Sequence, residues 1–197
     1  MNDIFFHLLL VFVFAGFTSI RVYYHRKAAR TMGNAAYKEG KLHVFLRLIV
    51  GIPFIVLVVA YLIQPDLLAW AKLPLPEWTQ WLGAALGLAS LPLIWWVQWA
   101  LDANFSTVLH VRDEHTLVTH GPYRWVRHPM YSVLYLWATA VLLLSQNWLI
   151  GAGFVFPLTV IVVTRLKNEE AAMTEKFGDE YRRYMQRTGR FLPHLGS

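Results

Sequence analysis

Long apolar runs, separated by short polar and basic segments, limit what this chain can fold into. A membrane-spanning helix needs about 20 mostly apolar residues, and three runs approach or reach that length: Ile4–Ile20, Val44–Ile63 and Trp78–Leu101. A fourth block, Tyr131–Val163, is too long for one untilted helix. Only 15% of the 197 residues are charged, against about 25% in typical soluble domains. The sequence therefore predicts an all-α integral membrane protein.

The fourth apolar block is interrupted at its centre by Ser145-Gln146-Asn147, residue types that favour a turn and so a chain reversal. We therefore predict a helical hairpin over residues 131–164. Its first helix is predicted at Tyr131–Leu144 and its second at Trp148–Thr164. With the three earlier runs, these boundaries give about five transmembrane helices. Before the hairpin, Gly121-Pro122 predicts a turn, and Pro129 can begin a helix because its missing N–H is not needed there.

The chain has no internal repeat, low-complexity tract or linker, so residues 1–197 are predicted to form a single membrane domain. Residues 1–101 hold three spanning helices. Residues 102–197 hold the hairpin and a charged tail, Arg165–Ser197, whose pattern predicts a helix to about Gln186. Gly83 and Gly87 form a Gly-x-x-x-Gly pattern that lets helices approach closely. Packing within one chain is the commoner cause of this pattern, so it implies no oligomer.

Basic residues predict the orientation in the membrane. All of the 18 Lys and Arg residues except Arg47 and Lys72 fall in three segments: the predicted loop Arg21–His43, the polar connection Asp102–Pro129 and the tail Arg165–Ser197. Cytoplasmic segments of membrane proteins carry such an excess, so the N-terminus is predicted outside and the C-terminus in the cytoplasm. This topology accounts for the formal net charge of +6 and removes the reason to expect nucleic-acid binding.

Polar and charged residues are concentrated in two segments, Asn104–Tyr131 and Arg165–Tyr184. Only the hairpin separates them, and a hairpin returns the chain to the same side of the membrane, so the two segments are predicted to meet. Arg165 and Glu169 are four residues apart and share a helical face. A solvated ion pair is the alternative, but charges at a membrane boundary commonly face a functional cavity.

Four histidines invite a metal-site interpretation: His110, His115, His120 and His128. Intervals of five residues do not place histidines on one helical face, and no His-Glu-x-x-His pattern occurs. The chain has no cysteine to supply a thiolate ligand. We therefore predict no metal site.

The two polar segments carry an ordered set of motifs. These are His115-Thr116-Leu117-Val118, Gly121-Pro122-Tyr123, Arg127-His128-Pro129-x-Tyr131, Glu169-Glu170, and Phe177-Gly178-x-x-Tyr181-x-x-Tyr184. With a hydrophobic hairpin between its parts, this set resembles the isoprenylcysteine carboxyl methyltransferase family over Asn104 to Pro193. The phospholipid methyltransferases share a similar, looser pattern.

The resemblance implies an integral membrane enzyme that transfers a methyl group from S-adenosylmethionine. The positions that match the family's cofactor-binding residues are His110, His115, Thr116, Leu117, Val118, Tyr123, His128, Pro129, Met130, Tyr131, Glu169 and Glu170. The cofactor pocket would lie on the cytoplasmic side, between the loop before the hairpin and the helix after it. Arg165 matches a position on the substrate side, so Arg165 and Glu169 are the predicted catalytic residues.

Two departures from the family pattern bear on these assignments. Val133 stands where the family often has Gly. Asn168-Glu169-Glu170 replaces a longer acidic run, which leaves open which glutamate contacts the cofactor.

The residue types suit the implied chemistry. A glutamate can bind the ammonium of S-adenosylmethionine, and the ring of Tyr123 or Tyr131 can lie near its sulfonium. An acceptor carboxylate is already ionised at neutral pH, so it needs only the orientation that Arg165 can provide.

The favoured acceptor is the carboxylate of a membrane-embedded prenylated cysteine. A phospholipid amine is the alternative within the same class, and it would need a general base. A transporter or assembly protein is the alternative outside it. Transporters carry ionisable residues deep in their spans, and here the span centres are almost free of charge.

Overall fold

The computed structural model describes residues 2–32, 55–101 and 116–194. Five helices lie in these ranges: α1 (Asn2–Met32), α2 (residues 55–63), α3 (Trp78–Leu101), α4 (Pro129–Ser145) and α5 (Trp148–Arg187). Short 3₁₀ helices occur at Pro65–Ala71 and Gly121–Arg124. Isolated bridges are the only β-pairing within the described ranges. The predicted all-α membrane fold is confirmed.

Three of the helices are long and apolar enough to cross a membrane: Asp3–Ala28, Trp78–Leu101 and Trp148–Arg187. Helix α4 is apolar but shorter. The predicted span Val44–Ile63 lies largely outside the described residues, as does Arg47. The predicted total of five transmembrane helices therefore stays a prediction.

Helix α1 is longer than predicted. The loop assigned to Arg21–His43 is helical as far as Met32, so that part of the prediction is wrong. Arg, Lys and Ala are good helix formers, and the first glycine after the apolar run is Gly33. The change from apolar to charged residues along α1 therefore does not end the helix.

The predicted hairpin is present, and the tail after it is helical as predicted, ending within one residue of Gln186. Helix α5 continues to Arg187, so one helix carries both the apolar arm and the charged tail, with a break at Gly178 (φ 53°). At the hairpin turn, Gln146 adopts a left-handed conformation (φ 46°). The side chain of Asn147 accepts hydrogen bonds from the backbone N–H groups of Leu149 and Ile150, which caps α5.

Helix α3 packs between α1 and α4 through its two glycines. A Cβ atom at Gly83 would lie 2.9 Å from Leu143 Cβ, and one at Gly87 would lie 3.1 Å from a methyl group of Val13. The Gly-x-x-x-Gly pattern thus serves helix contacts within the chain. The indole of Trp137 on α4 stacks on Phe17 of α1 at 4.6 Å and meets Phe154 of α5 edge-on at 4.7 Å, which joins these helices to α5.

Candidate active site

The loop before α4 is ordered by local sequence signals. Gly121 has a positive φ of 58°, which suits glycine, and it begins the short helix that buries Tyr123. Pro129 is the first residue of α4, where its missing N–H group is not needed. The predicted turn and helix start are both confirmed, and they place His128 immediately before α4.

The C-terminal segment, residues 188–191, returns to pair with this loop. The backbone N–H of Arg127 donates to Gly189 O at 2.8 Å, and that of His128 donates to Arg190 O at 3.0 Å. Ser132 Oγ donates to Phe191 O at 2.6 Å. These bonds hold the loop against the end of the charged tail.

Glu169 lies among groups from α4 and α5. The hydroxyl of Tyr131 donates to Glu169 Oε1 at 2.9 Å, and Arg165 Nε lies 3.4 Å from the same oxygen. His128 Nδ1 lies 3.7 Å from Oε2. The Glu169 side chain is 23% exposed and that of Arg165 is 35% exposed, so this carboxylate is open to a ligand.

Glu170 is more enclosed and is held by two arginines. Arg190 binds both carboxylate oxygens, with Nε to Oε1 at 3.1 Å and Nη2 to Oε2 at 2.7 Å. Arg127 Nε lies 3.4 Å from Oε1, and its Nη1 donates to the backbone oxygens of Met185 and Thr188. Bidentate arginine–carboxylate pairs have well-defined geometry, so Glu170 joins α5, the loop and the C-terminal segment.

His128 lies between the two carboxylates. Its Nε2 is 3.5 Å from Glu170 Oε1, opposite the contact of Nδ1 with Glu169. Burial lowers the pKa of His128 below its usual value, although the charges of Glu169 and Glu170 oppose this effect. At neutral pH the imidazole is therefore uncharged, and it leaves the negative charge of Glu169 available to other cations.

Tyr123 closes the same region from the loop side. The hydroxyl of Tyr184 donates to Tyr123 O at 2.6 Å, which ties the short helix to α5. Burial, followed by the neighbouring Tyr184 and Glu169, raises the pKa of Tyr123. Its phenol stays protonated across the physiological range.

The structure brings together five of the predicted site residues in one cluster, and we call these residues the carboxylate cluster: Arg165, Glu169, Glu170, His128 and Tyr131. Met130 adjoins it and accepts a contact from Arg21. Thr116 is exposed, Leu117 half-buried and Val118 buried in the core, and these three lead into the Gly121 turn. His110 and His115 lie outside the described residues.

Arg127 and Arg190 are central to this geometry, and sequence reasoning did not include them among the site residues. Arg127 belongs to the Arg-His-Pro motif, which could have drawn attention to it. Arg190 lies in a basic tail with no motif around it, so only the fold reveals its pairing with Glu170. In the part of the chain that is described, no group of three or more His, Asp or Glu side chains could hold a metal ion.

The sequence profile of the isoprenylcysteine carboxyl methyltransferase (ICMT) family matches residues 83–175. The predicted resemblance is confirmed. The matched range covers α3, the loop, the hairpin and both glutamates of the carboxylate cluster. Arg21 on α1 and the C-terminal segment lie outside the family match.

Curated relatives of this ICMT-like chain bear related names. A probable protein-S-isoprenylcysteine O-methyltransferase from Oryza sativa subsp. indica is 36% identical over 87 residues, which are 44% of this chain and 46% of that protein. The protein-S-isoprenylcysteine O-methyltransferase of Homo sapiens is 27% identical over 128 residues, 64% of this chain and 45% of that protein. The chain thus spans about half the length of the curated relatives it matches.

A solved structure of the eukaryotic intramembrane Ras methyltransferase ICMT is similar in fold. It superposes with a TM-score of 0.57 at 20% sequence identity, covering 95% of this chain and 68% of that one. Because the similarity extends over nearly the whole chain, α1 and α3 share the ICMT-like arrangement along with the hairpin.

Proposed function

We propose that this protein transfers a methyl group from S-adenosylmethionine to the carboxylate of a membrane-embedded prenylated cysteine. The observation that carries the proposal is the position of Glu169. It is an accessible carboxylate with a tyrosine and an arginine beside it, where the apolar part of α5 gives way to its charged part. Methyl donor and lipidic acceptor could meet at such a boundary.

The chemistry of the cluster fits S-adenosylmethionine. Glu169 would bind its ammonium group, since a charge-assisted hydrogen bond of this kind is about twice as strong as a neutral one. Tyr131 and His128 stack at 5.9 Å between ring centres and offer an aromatic surface that tolerates a neighbouring cation. When bound, S-adenosylmethionine would supply an electrophilic methyl group on its positively charged sulfur.

Arg165 would orient the acceptor. Its guanidinium is a fork of donors that matches a carboxylate, and it lies one helical turn nearer the apolar arm of α5 than Glu169 does. A carboxylate nucleophile is ionised at neutral pH, so the residues need only hold it in line for transfer. Such positioning can account for a large part of the rate.

Glu170 would support the site without contacting the donor. Both of its oxygens are engaged by Arg190 and Arg127, and these contacts hold the loop that carries His128 and Tyr123. This division supports Glu169, and not Glu170, as the glutamate that binds the cofactor.

The location of the cluster suits partners that arrive by different routes. A soluble donor would enter from the cytoplasm, and an acceptor with a prenyl tail would enter from the bilayer. This arrangement requires the N-terminus outside, the C-terminus in the cytoplasm, and residues 1–197 acting as one membrane domain. The basic residues of α1 and of the tail of α5 support that orientation.

Binding of labelled S-adenosylmethionine to the detergent-purified chain tests the donor. The wild type should bind it, and Glu169→Ala should not. Methyl incorporation into a farnesylated cysteine analogue, compared with phosphatidylethanolamine, then tests the acceptor. Absence of donor binding by the wild type would contradict the enzyme assignment and favour a transporter or assembly role. Labelling of the phospholipid alone would contradict the carboxylate acceptor.

A further inference from the structure

Arg21 is a half-buried cation on α1 with an unusual partner. Its Nη1 lies 3.1 Å from Met130 Sδ, and a thioether is a weak acceptor. Within residues 2–32, 55–101 and 116–194, no carboxylate forms an ion pair with it. A guanidinium carries five N–H donors, and withdrawing its charge from water is costly unless an anion accompanies it. The surroundings of Arg21 thus lack the anion that its chemistry calls for.

The packing of α1 on α4 determines where Arg21 lies. Phe14, Phe17 and Arg21 are three and four residues apart, so they share one helical face. The two phenylalanines contact Trp137, and Arg21 contacts Met130, seven residues earlier on α4. The helices are therefore antiparallel, and Arg21 lies about one turn beyond Phe17, at the end of α4 that begins the carboxylate cluster.

Met130 connects Arg21 to the candidate active site. Tyr131 follows it directly, and the Tyr131 hydroxyl binds Glu169. Arg21 extends from the apolar length of α1, which is long enough to span the membrane over Asp3–Ala28. Arg21 therefore lies on the α1 side of α4, whereas the C-terminal segment pairs with the loop before α4.

We propose that Arg21 binds the carboxylate of the lipidic methyl acceptor, and that it shares this anion with Arg165. The inference rests on the proposed function and names a residue outside the matched family range. Arg165 is already within 3.4 Å of Glu169, so part of its charge is matched by that carboxylate. A second arginine, without a carboxylate of its own among the described residues, provides the charge that the acceptor needs.

The neighbouring cations argue against a bulk lipid phosphate as the ligand of Arg21. Arg26, Lys27 and Arg30 follow on α1 and are exposed, so they are accessible to headgroups at the membrane surface. Arg21 instead faces α4 and Met130. Its position suits an anion that enters between the helices together with an apolar tail.

A binding experiment that involves no methyl transfer tests the inference. The full-length protein in neutral phosphatidylcholine nanodiscs is titrated with farnesylcysteine and with farnesylcysteine amide, which lacks the carboxylate. The wild type should prefer the carboxylate. Arg21→Met should bind farnesylcysteine about 10- to 150-fold more weakly, the factor expected for losing a charged hydrogen bond, and should bind the amide as the wild type does. Arg21→Lys should recover part of the preference.

Arg26→Met is the matched control, since Arg26 is an exposed arginine on the same helix, and it should retain the wild-type preference. A preference retained in Arg21→Met would overturn the inference while leaving the proposed function intact. The inference would also be overturned if Arg21→Met lost affinity for S-adenosylmethionine while its affinity for farnesylcysteine stayed unchanged. Greater anionic-lipid retention by the wild type than by Arg21→Met, with equal farnesylcysteine binding, would assign Arg21 to lipid phosphate instead. Failure of the wild type to bind either acceptor would remove the proposed function itself.

Discussion

Glu169 and Glu170 are consecutive residues on α5, yet their surroundings differ in kind. Glu169 has a neutral phenol, a partly exposed arginine and an uncharged imidazole nearby. Glu170 has two arginines, one of them bidentate, and its side chain is 11% exposed. One residue of helix rotation thus separates an accessible carboxylate from an enclosed one. The first suits ligand binding and the second suits holding the loop in place.

The difference also explains why a buried ion pair occurs here. Such pairs seldom add much net stability, because desolvation offsets the attraction. The pairing of Glu170 with Arg127 and Arg190 instead joins three parts of the chain that are far apart in sequence. Because Glu170 holds these parts together, a change at Glu170 should mainly lower stability, whereas a change at Glu169 should mainly lower donor binding and methyl transfer.

The largest effect is expected at Glu169. Glu169→Gln removes the negative charge while keeping the shape, and methyl transfer to farnesylcysteine should fall by about 1,000-fold or more, since donor binding is weakened and the donor is also mispositioned. Initial rates with labelled donor measure this change. Glu175→Gln is the control, because Glu175 is an exposed glutamate on the same helix. Comparable loss in both variants would show that α5 tolerates no change of charge.

Arg165 should produce the next largest effect, mainly on the acceptor. Arg165→Met should lower kcat/KM for farnesylcysteine by about 100-fold, since a bidentate charged contact is lost. Affinity for the donor should change much less. Arg182→Met, at an exposed arginine paired with Asp179, should behave as the wild type. Selective loss of donor affinity in Arg165→Met would assign this arginine to the other substrate.

Glu170→Ala should act chiefly on stability. It leaves Arg127 with its charge partly buried and unpaired, at a cost of about 1–3 kcal/mol, which corresponds to a fall in Tm of several degrees in a chain of this size. Thermal unfolding in detergent, followed by tryptophan fluorescence, measures it. An unchanged Tm together with lost donor binding would place Glu170 in the cofactor site.

Arg190 should contribute less, because its side chain is 55% exposed and water screens the pair. A double-mutant cycle with Arg190→Met and Glu170→Ala should give a coupling of about 0.5–1 kcal/mol. As a control, Arg187→Met, at an exposed arginine of the same tail, replaces Arg190→Met in the cycle and should give no coupling with Glu170→Ala. A coupling near zero would mean that the backbone bonds of residues 188–191 hold the loop without this pair.

The smallest effect is a dependence on pH through His128. Burial lowers its pKa in the folded protein, so below about pH 6.5 the unfolded chain binds the proton more readily than the folded one does. Stability should therefore be fully present above that pH and decline as the pH falls. His128→Asn should flatten this part of the plot of Tm against pH. His120→Asn, at an exposed position, should leave the plot unchanged. A flat wild-type profile would contradict an uncharged buried imidazole.

Local signals predicted a large part of this fold, whereas contacts distant in sequence could not be predicted. Pro129 and Ser145-Gln146-Asn147 act through neighbouring backbone, and they identified the start of α4 and the hairpin turn. The charged residues after Arg21 were predicted to form a loop, yet Arg, Lys and Ala are good helix formers, and α1 continues through them to Met32. The arginine pairing of Glu170 depends on residue 190 returning to the loop, and no short pattern encodes that return.

The division between the two glutamates is tested most directly by isothermal titration of S-adenosylmethionine into Glu169→Gln and Glu170→Gln. Both proteins are measured at one temperature at which each is folded. We expect Glu169→Gln to bind about 10- to 150-fold more weakly than the wild type, the factor for a lost charged hydrogen bond. Glu170→Gln should bind within about 3-fold of the wild type, because it loses no contact to the donor. Equal weakening in the two variants, or weakening in Glu170→Gln alone, would contradict this account.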